Sequence, residues 1–112
     1  MKLKTLNKNF QFLRAYRSRK CFVSPLLVTY VVTKKGGGLR LGITTGKKVG
    51  GAVDRNHARR LVRAAAAELL AGFCGNCDIV VVCRKPIVEV KSTEVQAVLK
   101  KHLIQAGVLT QC

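Results

Sequence analysis

The residue pattern predicts an α+β domain, one layer of sheet covered by helices in the order α-β-β-α-β-α. Three observations carry that reading. Apolar residues recur at helical spacing in three stretches, and three others are apolar or alternating runs suited to strands. The chain has 112 residues, enough for one core and short for two.

Leu6, Phe10 and Leu13 recur at helical spacing in residues 6–17, with Phe12 and Tyr16 a turn apart on one flank of that stripe. Pro25 precedes residues 26–33, whose Val, Thr and Tyr content favours a strand. After a Gly-rich turn at 34–38, Leu39, Leu41 and Ile43 alternate with Arg40, Gly42 and Thr44, the period of a strand with one buried face. These two strands read as an antiparallel hairpin. A loop over 46–53 leads into a long helix over 54–73, with Asp54 as its N-cap and Gly72 and Gly75 as its stop. Residues 78–84 form another apolar strand, ended by Pro86. Thr93 and Gln96 have the spacing of a capping box, and Val95, Val98, Leu99, Leu103 and Ala106 then repeat at helical spacing until Gly107. There is no internal repeat and no linker.

Charge narrows the function. The chain carries 21 Lys and Arg against 5 Asp and Glu, a formal charge of +16, while 48% of its residues are hydrophobic. A core is therefore available, and the excess charge calls for a polyanion, nucleic acid before membrane. The most apolar region, 64–83, contains Glu68 and Asp78 and is broken by Gly72, Gly75 and Asn76, which argues against the ~20 apolar residues of a bilayer helix. Lys2, Lys4, Asn7, Lys8 and Asn9 interrupt any export signal at the start. The expectation is a soluble, cytoplasmic protein whose five cysteines, Cys21, Cys74, Cys77, Cys83 and Cys112, are reduced thiols.

The chemistry is concentrated in residues 45–63. On a helix Arg55, Arg59 and Arg63 stack at i, i+4 and i+8, Asn56 and Arg60 fill the neighbouring arc, and Ala58, Leu61, Val62, Ala65 and Leu69 take the opposite side. Cations in the first turns oppose the helix dipole, and like charges at i,i+4 repel, each by a few tenths of a kcal/mol. Bound phosphates reverse both signs, and guanidinium forks fit phosphate oxygens. The bland alternative, a solvated charged face, lacks the balancing Glu such faces usually carry. A nucleotide-binding P-loop is excluded, because Gly42 and Gly46 enclose three residues rather than four and Lys48 follows Lys47 where Ser or Thr is needed.

The string Lys47-Lys48-Val49-Gly50-x-Ala52-Val53-x-Arg55-Asn56-x-x-Arg59-Arg60-Leu61-x-Arg63 resembles the signature of the bacterial ribonuclease P protein. Phe12 and Tyr16, Ser24-Pro25, Tyr30, and Asp78-Ile79-Val80 with Arg84 extend the likeness over nearly the whole chain. The resemblance implies a four-stranded sheet in the order α-β-β-β-α-β-α, with a short extra strand near residues 21–23 and a left-handed β-α-β crossover. It also implies that Lys47, Lys48, Arg55, Asn56, His57, Arg59, Arg60 and Arg63 contact a catalytic RNA. A cleft between the first helix and the sheet, with Phe12, Tyr16 and Tyr30, would take the single-stranded 5′ leader of precursor tRNA, as ring stacking on unpaired bases suits it to do. On parity alone Tyr30 fits the core equally well, since it alternates in step with Leu26, Val28 and Val32.

The implied activity is Mg²⁺-dependent removal of that leader. The polypeptide supplies no catalytic residue and binds no metal or cofactor by itself, because its carboxylates, Asp54, Glu68, Asp78, Glu89 and Glu94, are dispersed and the RNA must hold the ions. No membrane and no obligate protein partner are expected. The sequence departs from the family pattern at His57, usually Arg, at Gly46 and Gly51, usually Ser and Asn, and at Arg19, often a turn Gly. Two rivals come from other classes: a ribosomal or ribosome-associated protein that only neutralises folded RNA, and an enzyme using Cys74 and Cys77. The cysteine pair has half of a zinc site's spacing but no second half nearby.

Overall fold

A computed structural model describes residues 4–6, 9–18, 20–73 and 75–109. Its elements are β1 (Lys4–Thr5), α1 (Asn9–Tyr16), β2 (Cys21–Val23), β3 (Leu27–Thr33), β4 (Leu39–Thr45), α2 (Ala52–Leu69), β5 (Cys77–Cys83) and α3 (Ser92–Gln105), with 3₁₀ turns at Lys47–Val49 and Lys85–Glu89. Arg19 and Cys74 lie outside the described residues, as do Cys112 and the Lys2, Asn7 and Lys8 of the expected signal-free start. Among the described residues no helix is long and apolar enough to cross a membrane.

β5 sets the topology. All of its residues except Val82 are buried, so it needs cover on both faces and a partner on each edge. The sheet order is β1-β4-β5-β3-β2, with β5 parallel to β4 and antiparallel to β3. The main sheet is thus four-stranded and mixed, in the order α-β-β-β-α-β-α, with the two-residue β1 added along β4. The short strand implied at 21–23 is present. The expected hairpin between β3 and β4 is not: β5 sits between them, and the adjacent antiparallel pair is β2 with β3. Local alternation revealed the strands, but competition for the central place decided the pairing, and the most apolar strand took it.

The face of the sheet bearing Leu27, Val31, Leu41, Ile79 and Val81 packs under Ala58, Val62, Ala65 and Ala66 of α2 and Val95, Leu99 and Leu103 of α3. His102 is buried there, its Nδ1 2.8 Å from Thr29 Oγ1. Burial, and then the Lys101 charge, lower its pKa, consistent with a neutral ring held by a hydroxyl. Both long helices start earlier than expected. α2 begins at Ala52, with Gly51 at the N-cap position, so Asp54 lies within the first turn; α3 begins at Ser92, with Lys91 in the cap position and Thr93 inside the helix. Neither N-cap makes a side-chain hydrogen bond.

The opposite face carries α1, and here the sequence reading is corrected most. The helix spans Asn9–Tyr16 rather than 6–17. Leu6 is buried but precedes it, its N–H donating to the Leu41 carbonyl at 3.0 Å. Phe10 and Leu13, the expected buried stripe, are 59% and 46% exposed, while Gln11 and Ala15 face the sheet with Phe12 packed beside them. A socket in the sheet decides the rotation: a Cβ on Gly42 would lie 2.7 Å from Phe12 Cε1, so only glycine lets the ring approach.

A buried carboxylate provides the second anchor. Asp78 is fully buried, and it accepts from Lys34 Nζ at 2.6 Å, Arg40 Nε at 2.9 Å and Arg14 Nη2 at 3.0 Å. Burial pushes its pKa up, but the hydrogen bonds from Arg40, Lys34 and Arg14 outweigh that and leave it below the ordinary value. Its stabilising contribution is therefore complete above the unfolded pKa of about 3.9 and is lost as pH falls through the lower native value. We predict that Asp78→Asn loses about 3 kcal/mol near neutrality, toward the lower end for a broken buried pair because its partners are partly solvated. Urea melts between pH 2 and 7 should show a shallower acid decline for the variant than for the parent.

Candidate nucleic-acid interface

The approach to α2 is shaped by glycine. After the exposed 3₁₀ turn of Lys47 and Lys48, pinned by buried Val49, Gly50 adopts φ 143°, a region other residues avoid. The Asp54 carboxylate occupies the space a Cβ there would need. From this turn α2 presents its cations outward. Asn56, His57, Arg59, Arg60 and Arg63 are exposed and Arg55 is half-buried, while Ala58 and Val62 are sealed in the core. The side chains fall on the two arcs expected from helical spacing. All the ion pairs among the described residues end on Asp78, so none neutralises this face, and Arg55 Nε is buried without a partner.

Lys47 and Lys48 also line an open groove of about 910 Å³ where β4 and β5 end, together with Arg84, Lys85, Pro25, Pro86 and the strand residues Thr44 and Val82. Arg84 entered the sequence reading only as part of the family likeness, not as a binding residue, and Lys85 did not enter it. Their signal was an Arg-Lys-Pro run directly after an apolar strand, and only β5's parallel pairing with β4 brings it beside Lys47.

The groove continues into the aromatic flank of α1. Tyr16 OH lies 3.3 Å from Thr44 Oγ1, and its ring packs edge-on against Tyr30 with centroids 5.2 Å apart. Tyr16 is 40% exposed and Tyr30 partly so. Burial, followed by the neighbouring Cys21, raises the Tyr30 pKa, keeping the phenol neutral. Phe12 is the inner member of the trio, lying against Gly42. The three aromatic residues are therefore contiguous, and they occupy the sheet face opposite α2. Lys47 and Lys48 sit at the sheet end between the two predicted surfaces.

Of the cysteine pair only Cys77 lies among the described residues. Cys77 belongs to the core. Burial, reinforced by Asp78, pushes its thiol up to about 11, and burial does the same at Cys83, opposite to what a reactive thiolate or ligand needs. Among the described residues no group of three or more His, Cys, Asp or Glu could hold a metal ion.

The ribonuclease P family model matches residues 1–107. The chain belongs to the ribonuclease P protein family. It is 37% identical over 105 residues to the ribonuclease P protein component of Shouchella clausii, covering 93% of this chain and 86% of that one. Against the same component of Chloroflexus aggregans the identity is 35%, with 94% and 78% covered. Among solved structures, the Staphylococcus aureus RNase P protein superposes with a TM-score of 0.81 at 30% identity, covering 96% and 98% of the two chains. The Thermotoga maritima RNase P protein gives 0.78 at 26% identity, covering 91% and 96%. As a ribonuclease P protein component, the chain is an RNA-binding accessory subunit of a tRNA-processing ribonucleoprotein.

Membership gives the unpaired α2 face a consequence for stability. Removing one of its charges relieves like-charge repulsion in the free protein and, if this face meets RNA as the resemblance implies, removes a phosphate contact. Arg59→Gln should leave the melting temperature unchanged or slightly higher while lowering RNA affinity. Thermal melts beside filter binding of the RNA test this; a fall in both would show that Arg59 is structural.

Proposed function

We propose that this chain binds the catalytic RNA of ribonuclease P through Lys47, Lys48, Arg55, Asn56, His57, Arg59, Arg60 and Arg63, and the 5′ leader of precursor tRNA through Phe12, Tyr16 and Tyr30. Tyr16 offers the most accessible ring for stacking, at about 1–3 kcal/mol per base, with the partly buried Tyr30 and Phe12 beside it. The observation that carries the reading is the α2 guanidinium face, built on a rigid core-packed helix and without carboxylate partners among the described residues.

Catalysis in this reading belongs to the RNA. Asp54 and Glu68 are exposed on α2, Glu89 and Glu94 lie exposed on other elements, and Asp78 is engaged by three cations. The proposal therefore places the Mg²⁺ ions that activate water and stabilise the leaving oxygen on RNA oxygens. The protein contributes counter-charge, which matters most when Mg²⁺ is scarce, and holds the leader in register. The site of action proposed is the cytoplasm, where thiols stay reduced.

The test is cleavage of a precursor tRNA at low Mg²⁺ by a bacterial ribonuclease P RNA, with and without the protein, and by the protein alone. Stimulation should appear only in the combined reaction and weaken when the 5′ leader is shortened or when Tyr16 is changed to Ala. Tight RNA binding without stimulation would reduce the chain to a structural RNA-binding role, and cleavage by the protein alone would overturn the assignment of catalysis to RNA.

A further inference from the structure

The three cations around Asp78 form a cluster on the flank of α1 away from the aromatic residues. The strand register fixes this. On the α1 face, Arg40 pairs with Asp78, Gly42 with Val80 and Thr44 with Val82, giving three successive rows. α1 lies over the middle row, with Phe12 against Gly42 and Ala15 packed with Val80. Tyr16 reaches one outer row at Thr44, and Arg14 reaches the other at Asp78. Four residue steps along the strand separate Asp78 from Val82, about 13 Å at the usual rise. The cluster is therefore separate from the aromatic cleft and from the groove at Lys47 and Lys48, and it lies on the face opposite α2.

Its composition exceeds what anchoring α1 requires. One cation would neutralise Asp78, yet Arg14, Lys34 and Arg40 all converge on it, leaving two positive charges uncompensated. The other carboxylates, Asp54, Glu68, Glu89 and Glu94, lie on elements other than α1, β4 and the turn that carry these cations. The bonds to Asp78 use Nη2 of Arg14 and Nε and Nη2 of Arg40, which leaves further N–H donors on both guanidinium forks. Arg14 and Arg40 side chains are 48% and 26% exposed. Their heads are already immobilised by the buried carboxylate, so an incoming anion meets donors whose ordering cost was met during folding. The base of the site is held from below, where Asn76 accepts from the Lys34 N–H through its carbonyl and from the Gly38 N–H through its side chain.

We propose that Arg14, Lys34 and Arg40, held together by Asp78, form a phosphate clamp that grips the backbone of RNA on the side of α1 opposite the leader cleft. The clamp rests on the RNA-binding reading above and adds a third contact surface to it. Asp78 is its positioning residue: it fixes the three cations without touching the anion. The phosphates come either from the ribonuclease P RNA or from the precursor tRNA, and affinity measured with each distinguishes the two.

The experiment uses the full chain with Arg14→Gln, Lys34→Gln and the charge-preserving Arg14→Lys. Affinity for ribonuclease P RNA, and of the assembled ribonucleoprotein for precursor tRNA, is measured from 0.05 to 0.5 M salt. Each Gln variant should weaken binding several-fold and lower the slope of log affinity against log salt by about 0.7–0.9 in one of the two arms. Arg14→Lys should restore the slope, and the arm that changes names the RNA whose phosphates are held. A structural role alone would lower the melting temperature and leave the slope intact, so unchanged slopes in both arms with a normally binding parent would overturn the clamp. A parent protein that bound neither RNA would overturn the RNA-binding reading and the clamp with it.

Discussion

A charged side chain at the start of the most buried strand is the constraint on which much of this molecule depends. Asp78 cannot be left unpaired in a dry interior, and its partners come from three separate pieces of chain: α1, the turn before β4, and β4 itself. Satisfying one carboxylate thereby ties the N-terminal helix and the β3–β4 connection to the centre of the sheet. The neighbouring rows of the same face then follow. With Arg14 held at one side and Phe12 seated on Gly42, Tyr16 is left beside Tyr30 and Thr44.

The protein divides its cations according to use. Those on α1, the turn and β4 are drawn onto a carboxylate and help hold the fold. Those on α2 pair with no carboxylate among the described residues and stand on a helix whose other side is sealed by Ala58 and Val62. Such a face gains little for the free protein; in the function proposed above, phosphates supply its counter-charge. The rigid sheet between α1 and α2 sets the distance between an aromatic surface and a guanidinium surface, with the basic groove at the sheet end joining them.

The guanidinium face was legible in the sequence because it needs only helical periodicity: Arg55, Arg59 and Arg63 share an arc in any helix that includes them. The signature glycine at position 50 also had a local cause, its φ of 143°. The α1 aromatics were harder. Periodicity identified the helix, but Phe10 and Leu13 formed as good an apolar stripe as Phe12 with Ala15, and the choice between them lies in the glycine socket and the carboxylate of other strands. The place of Arg84 and Lys85 beside the basic turn was not legible, because their neighbour Lys47 is remote in sequence.

By itself, then, the sequence determined what short-range rules control: six of the secondary elements, the polarity of α2, the net charge, and, through the Lys47–Arg63 string, the family. The tertiary structure decided which strand became central, which side of α1 faces the sheet, and which cations gather around Asp78 and which stand apart from it. Those outcomes depend on competition among distant segments for one apolar interior and one buried negative charge, and no local window of sequence contains all the competitors.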